Sequence, residues 1–194
     1  VLNGSDDHGF TLIELMITLA VLAILLVLAM PSFSKTVSNA KVRSVAETLL
    51  NGLRSAQAAA IQQSHQAAFV LTNATPVQDA PPASPGVNWY AQILPVYGSE
   101  SAANFYLQGG SLGNQTSGST VTGPSVICFN SIGRITSNTN TGAIGVACAA
   151  NDAQYDITHP SADRTLRVLV SVSGKIRLCD PARALTASTP DGCP

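Results

Sequence analysis

From Gly9 the chain runs Gly9-Phe10-Thr11-Leu12-Ile13-Glu14-Leu15-Met16 and stays apolar to Met30, broken only by Thr11, Glu14 and Thr18. A helix needs about 20 such residues to span a bilayer, and this stretch is long enough. Glu14 is the informative exception, because an ionisable group within an apolar span is costly unless it has a partner or a wet interface. After Pro31 the pattern changes but does not stop. Val42, Val45, Ala46, Leu49, Leu53, Ala56 and Ala60 recur at three- and four-residue steps, with Lys41, Arg43, Glu47, Asn51 and Arg54 mostly off that stripe. The period predicts an amphipathic helix. One helix is therefore expected from about Thr11 to about Ser64, with Pro31 as the place for a bend. At 1.5 Å per residue it would be roughly 80 Å long. Its first half is an anchor; its second half packs on a domain.

The rest of the chain has the period of strands. Gln66 to Thr72 reads as a first strand, and Asn88 to Leu94, Asn104 to Leu107, Val126 to Asn130 and Ile144 to Cys148 as shorter ones. A Pro-rich loop from Pro76 to Gly86 and a Gly/Ser/Thr/Asn loop from Gly109 to Gly123 separate them. The clearest hairpin comes late: Thr165 to Val172 alternates, Ser173-Gly174 predicts a two-residue turn, and Lys175 to Cys179 returns. From Asp180 onward an irregular tail is expected. The fold class is α+β, a long N-terminal helix covering one face of a small antiparallel sheet.

Composition narrows this picture. At 194 residues there is room for one anchor and one domain. Apolar residues make up 45%, too many for a disordered chain, while aromatics at 5% and charges at 11% suit a surface-exposed β-rich module of small side chains. The net charge of −1 matters less than its distribution. No Lys or Arg occurs from Ser55 to Gly133, whereas Arg164, Arg167, Lys175, Arg177 and Arg183 crowd the end. Cys128, Cys148, Cys179 and Cys193 form no CxxC motif, and an even number behind an apolar segment favours disulfides in an oxidising compartment. Their order favours Cys128–Cys148 and Cys179–Cys193 among the connectivities open to them; buried free thiols are the alternative.

Enzyme chemistry finds little support. His8, His65 and His159 belong to no HExxH pair, no GxSxG elbow occurs, and the Gly-rich loop lacks a Lys-Ser/Thr ending. Asp152 and Asp156 lack the calcium-loop pattern. No catalytic residue, metal or cofactor is expected. The basic hairpin is the one constellation with binding potential. Lys175 and Arg177 alternate with Ile176 and Leu178, Arg167 is a cross-strand neighbour, and Arg183 follows in the tail. Converging cations would attract phosphates in a salt-dependent way. The alternative is a solvated outer face over an inner face of Val168, Val170, Val172, Ile176 and Leu178.

The stretch Gly9 to Phe33, GFTLIELMITLAVLAILLVLAMPSF, resembles the N-terminal region of type IV pilins and of the pseudopilins of type II secretion. The resemblance implies that a prepilin peptidase cuts between Gly9 and Phe10 and methylates the Phe10 amine, making Glu14 the fifth mature residue. One departure is that Asp6 and Asp7 stand where pilin leaders are basic. No AxA-like site follows the apolar run, so any cut should precede it. In a bundle of such helices Glu14 reaches the ammonium of a neighbouring Phe10, which relieves the cost of a buried carboxylate and sets axial register.

Two short motifs, Cys128 to Arg134 (Cys-Phe-Asn-Ser-Ile-Gly-Arg) and Gly174 to Pro181 (Gly-Lys-Ile-Arg-Leu-Cys-Asp-Pro), look like the FimT/FimU/GspH branch of minor pilins. Residues from about Thr72 to Thr122 carry no part of the likeness. It implies a leader at 1–9, a transmembrane and filament-core helix at 10–33, an amphipathic continuation at 34–65 and a β-rich head at 66–194. The implied location is the inner membrane with a periplasmic head, then a pilus or pseudopilus. Implied partners are major and minor pilins, the prepilin peptidase and the inner membrane. FimT-type relatives add double-stranded DNA through a GRxR motif, here Gly174, Lys175, Ile176 and Arg177, with lysine for the first arginine. Lysine keeps the charge but loses bidentate phosphate contact. The GspH-like alternative is a secretion pseudopilin with no nucleic-acid role.

Overall fold

The computed structural model describes residues 10–95, 105–112, 118–139 and 145–194, and within these the side chains of 28–32 are left aside. The leader with Gly9, and the expected strand residues Asn104 and Ile144, lie outside the described residues.

One helix, α1 (Leu12–Gln63), runs the length expected from the apolar periodicity. Thr11 caps its start in extended backbone, its Oγ1 accepting the Glu14 N–H at 3.3 Å. Ser64 ends it in the left-handed region, its N–H bonded to the Ile61 carbonyl. Every residue of the stripe from Val42 to Ala60 is buried, none more than 2% exposed. Arg43, Glu47, Asn51 and Arg54 face solvent, and Arg43 and Glu47 pair across one turn at 2.8 Å.

The buried stripe packs on two sheets instead of the single one expected. The first holds β1 (Gln66–Thr72), β2 (Asn88–Leu94), β3 (Tyr106–Ser111) and β5 (Val126–Phe129) in the antiparallel order β3-β2-β1-β5. The second holds β4 (Thr120–Thr122), β6 (Ala153–Thr158), β7 (Leu166–Val170), β8 (Ile176–Ala184) and β9 (Gly192–Cys193) in the order β4-β6-β7-β8-β9. All pairs in the second sheet are antiparallel except β8 with β9.

The sheets differ because their outer faces differ. In the first, Ala67, Phe69 and Leu71 of β1 face α1, while Ala68 and Val70 join Tyr90, Leu94, Ala80 and Cys148 in a second apolar layer beneath the Pro-rich segment. Burial on both faces explains the unbroken apolar run of β1. Polar groups in that layer are satisfied: the Tyr90 hydroxyl donates to the Ala80 carbonyl at 2.7 Å, and Gln92 Nε2 to Asp79 Oδ1 at 2.9 Å. In the second sheet Ala153, Tyr155, Ile157, Val168 and Val170 face α1, and the alternate residues of β6 face water.

Trp89 of β2 locks the helix to the first sheet. Its ring stacks on Phe69 with centroids 5.5 Å apart. It lies so close to Gly52 of α1 that a Cβ there would sit 3.0 Å from ring carbons. Disulfides join Cys128 to Cys148 and Cys179 to Cys193. The first ties β5 to Cys148, which is itself bridged to Asn138; the second ties the tail to β8.

Several expectations need correction. The late hairpin turns through three residues, Val172 to Gly174, because Ser171 and Lys175 are still joined by a backbone bond and Gly174 takes φ +89°. The expected Gly-rich loop contributes Gly109 to Ser111 to β3 and Thr120 to Thr122 to β4. Among the described residues around Cys148 there is a single bridge, to Asn138, and no strand. The tail is less irregular than its composition indicated, since β8 continues to Ala184 and Gly192–Cys193 pairs with it.

Candidate functional site

Two features come forward: the bare half of α1 and the basic hairpin. In the first, Leu12 is 77% exposed, Val27 69% and Phe33 71%, and the apolar side chains between Leu12 and Val27 are all more than half exposed. Nothing among the described residues of the head covers them. Covering a large aliphatic side chain is worth about 1.5–3 kcal/mol, so a surface of this size has a strong drive to find lipid or other helices. Among the described residues no helix is long and apolar enough to cross a membrane.

Glu14 sits in the first turn of α1, three residues after the Thr11 cap, where a carboxylate meets the positive end of the helix dipole. The Thr11-x-x-Glu14 spacing is that of a capping box, a local role the chain pattern announces as plainly as the apolar run does. Phe10 precedes the cap and is 85% exposed.

The hairpin tells a different story. Arg167, Lys175 and Arg177 do share the outer face of β7–β8, but Arg177 stands opposite Leu169, and Arg167 opposite Cys179. Arg167 is also opposite Asp156 of β6 and binds it twice, Nε to Oδ1 at 2.6 Å and Nη2 to Oδ2 at 3.3 Å. Arg177 Nη2 donates to the carbonyls of Pro190 at 2.7 Å and Gly192 at 3.0 Å. Arg183 Nη1 donates to Asp191 Oδ2 at 2.9 Å and its Nε lies 3.9 Å from Asp180. Arg164 Nη2 donates to the same oxygen, Asp180 Oδ2, at 3.2 Å. Asp180 is buried, and its second oxygen accepts the Ala182 N–H. Of the four cations singled out in the sequence, Lys175 alone is exposed with no side-chain bond among the described residues. The remaining three hold the sheet and the tail together.

Two cavities flank this region. One of about 380 Å³ lies between Asn39, Val42 and Arg43 of α1 and Leu178, Asp180 and Asp191. The other, of about 250 Å³, is lined by Asp152, Leu169, Lys175, Arg177, Leu185 and Pro194. Both mix opposite charges with apolar walls. Among the described residues no three His, Cys, Asp or Glu side chains are grouped to hold a metal ion.

Residues 4–30 match the family model of the prokaryotic N-terminal methylation motif. No curated protein matches the chain in sequence. Among solved structures, the type IV minor pilin FimU of Pseudomonas aeruginosa (strain PAO1) superposes with a TM-score of 0.52 at 16% identity, over 80% of this chain and 96% of FimU. The minor pseudopilin EpsH from the type 2 secretion system of Vibrio cholerae gives 0.47 at 13% identity, over 74% of this chain and 99% of EpsH. The chain thus joins an N-terminal methylation motif to a head with the fold of the type IV minor pilin FimU.

Proposed function

We propose that the chain is a minor subunit of a type IV pilus, or of a related secretion pseudopilus, held in the inner membrane by residues 10–33 and then passed into the filament. The observation that carries this reading is the bare half of α1, whose exposed apolar side chains have no partner among the described residues of the head. A methylation motif covers that same segment. Cleavage between Gly9 and Phe10 frees an ammonium at the start of the helix, where the dipole disfavours a positive charge. The Glu14 carboxylate of a neighbouring helix offsets that cost, and so fixes the axial step between subunits.

The test is Glu14→Val. The variant is expected to be cut and to reach the membrane at wild-type level, while its amount in sheared filaments falls at least about tenfold, as loss of one charged pair of about 1.4 kcal/mol or more allows. Normal incorporation would remove the register role.

Capture of double-stranded DNA by Lys175, Arg177, Arg167 and Arg183 is the weaker reading. Its support is one exposed lysine, because the three arginines are committed to Asp156, Asp180, Asp191 and the tail carbonyls. A pseudopilin role with no nucleic-acid contact agrees equally well with this arrangement.

A further inference from the structure

We infer that the smaller cavity, on the outer face of β6, β7 and β8, is a binding site for a free amino acid with an aliphatic side chain. Its chemistry differs from that of the larger cavity beside α1. There the charges are matched within the chain: Asp180 is held by Arg164, Arg183 and the Ala182 N–H, Asp191 by Arg183, and Arg43 by Glu47. In the smaller cavity charges of both signs keep spare hydrogen-bonding capacity, and no ion pair joins them among the described residues.

Strand register lays the site out in three columns. Ala153 is paired with Val170, and both point inward, so Asp152 and Ser171 are the next pair along and point outward. Ser171 in turn bonds to Lys175 across β7–β8, its N–H to the Lys175 carbonyl at 3.0 Å. One row therefore reads Asp152, Ser171, Lys175, and the next row places Leu169 beside Arg177. The acid stands on one side, the cations on the other, and the middle strand offers a small residue and an apolar one. Asp152 and Lys175 are two strand spacings apart, about 10 Å. Ser171 leaves the space between them open, since its hydroxyl is tied to that of Ser173 at 2.7 Å. Leu185 and Pro194 of the tail wall the cavity.

Each charged group has something left to give. The Lys175 ammonium has no side-chain bond among the described residues. Arg177 commits Nη2 alone, which leaves Nε and Nη1 as donors. Asp152 Oδ1 accepts the Val172 N–H at 2.7 Å, and Oδ2 remains as an acceptor. The walls are ordered beforehand: Ser171 Oγ accepts the Lys175 N–H at 3.2 Å, the Leu185 N–H bonds to the Cys193 carbonyl at 3.0 Å, and the Cys179–Cys193 disulfide holds the end that carries Pro194. A fixed site loses little entropy on binding.

Opposite charges flanking an apolar strip select the occupant. A carboxylate on Lys175 and Arg177 and an ammonium on Asp152 make charge-assisted bonds together, while an aliphatic side chain covers Leu169 and Leu185. A free amino acid carries those three groups on one carbon. The cavity, of about 250 Å³, falls just below the about 300–1,000 Å³ of drug-sized sites, which suits so small a ligand. Nucleic acid is the poorer complement, because Asp152 repels phosphates where it welcomes an ammonium.

The test is a titration of the isotope-labelled full chain in detergent micelles at pH 7, read from its amide spectrum. L-Leucine is expected to shift the Leu169, Ser171 and Leu185 signals saturably, with a Kd of about 1 mM. Leucinamide, which lacks the carboxylate, and N-acetyl-leucine, which lacks the ammonium, should each bind roughly tenfold more weakly. Lys175→Met should weaken leucine roughly tenfold and leave leucinamide unchanged. Asp152→Asn, which keeps an oxygen for the Val172 N–H, should weaken leucine and leave N-acetyl-leucine unchanged. No response to leucine at about 20 mM would overturn the site, as would equal binding of the three compounds or indifference to both substitutions. Shifts at these signals with duplex DNA and none with leucine would overturn it in favour of phosphate. None of these groups belongs to the bare helix, so every one of these results leaves the filament reading standing.

Discussion

Arg177 illustrates how a residue picked out by its charge is used for its donors. It lies on the outer face of β8, where a phosphate contact was expected, yet its guanidinium is turned along the sheet to hold the Pro190 and Gly192 carbonyls. Arg177→Ala is therefore expected to destabilise the tail by about 1–2 kcal/mol, the worth of charged-donor bonds at a half-exposed site. Amide exchange across residues 185–194 should quicken, whereas affinity for duplex DNA at low salt should stay as it is; a fall in DNA affinity without faster exchange would contradict the clamp. Two buried tyrosines make a second case. Burial raises the Tyr155 hydroxyl well above its ordinary value of 10.0, and burial followed by the Asp79 carboxylate raises Tyr90. A folded value above the unfolded one means the stabilisation is complete below about pH 10 and is lost as pH climbs beyond it. Tyr155 differs from Tyr90 in having no hydrogen-bond partner for its hydroxyl among the described residues. Tyr155→Phe should thus leave thermal stability at pH 7 unchanged or raised by up to about 1 kcal/mol, and soften the loss above pH 10. A drop of more than about 1 kcal/mol at pH 7 would show a bond that the structure does not.

At the scale of elements, α1 was the most legible part, because its stripe from Val42 to Ala60 has a strict helical period and a length no strand reaches. β1 and β2 were legible too, as compact apolar runs with clear breaks. What escaped is what depends on partners distant in sequence. β6 was missed because Ala153-Gln154-Tyr155 is a weak strand signal that only its pairing with β4 and β7 sustains. The division into two sheets is set by the segment from Arg134 to Asn138, which bonds to Cys128 on one side and, through Ile135, to Val172 on the other. No local pattern marks that role. The hairpin was placed correctly but its loop was one residue too short, because Ser-Gly resembles a two-residue turn until the Ser171–Lys175 bond is seen. The pairing of the arginines escaped for a related reason: Asp156 and Asp191 belong to other strands or to the tail, and only the fold brings them to Arg167 and Arg183. Gly52 offers a test of how α1 is seated. Its Cα lies against the Trp89 ring with no room for a side chain. Gly52→Val should cost about 1–3 kcal/mol by overpacking, despite a better helix propensity than glycine, and thermal unfolding measures it. A stabilised variant would mean that the helix can slide on the sheet.

For the whole molecule, the asymmetry is what matters. The head is complete, with two apolar layers in the first sheet, two disulfides and a clamped tail. The first half of α1 is unfinished by the same standard, since its described apolar side chains are exposed and nothing among the described residues covers them. In the proposed reading the chain has two environments to satisfy in turn, a bilayer and a helix bundle, and Glu14 gains the ammonium of a neighbouring helix in the second. The direct measurement is intact-mass analysis of this chain in filaments sheared from cells, beside the same analysis of the membrane fraction. The expected result is a filament-borne chain that begins at Phe10 and carries a methyl group on its amine. A chain confined to the membrane, or present in filaments with residues before Phe10 still attached, would contradict it.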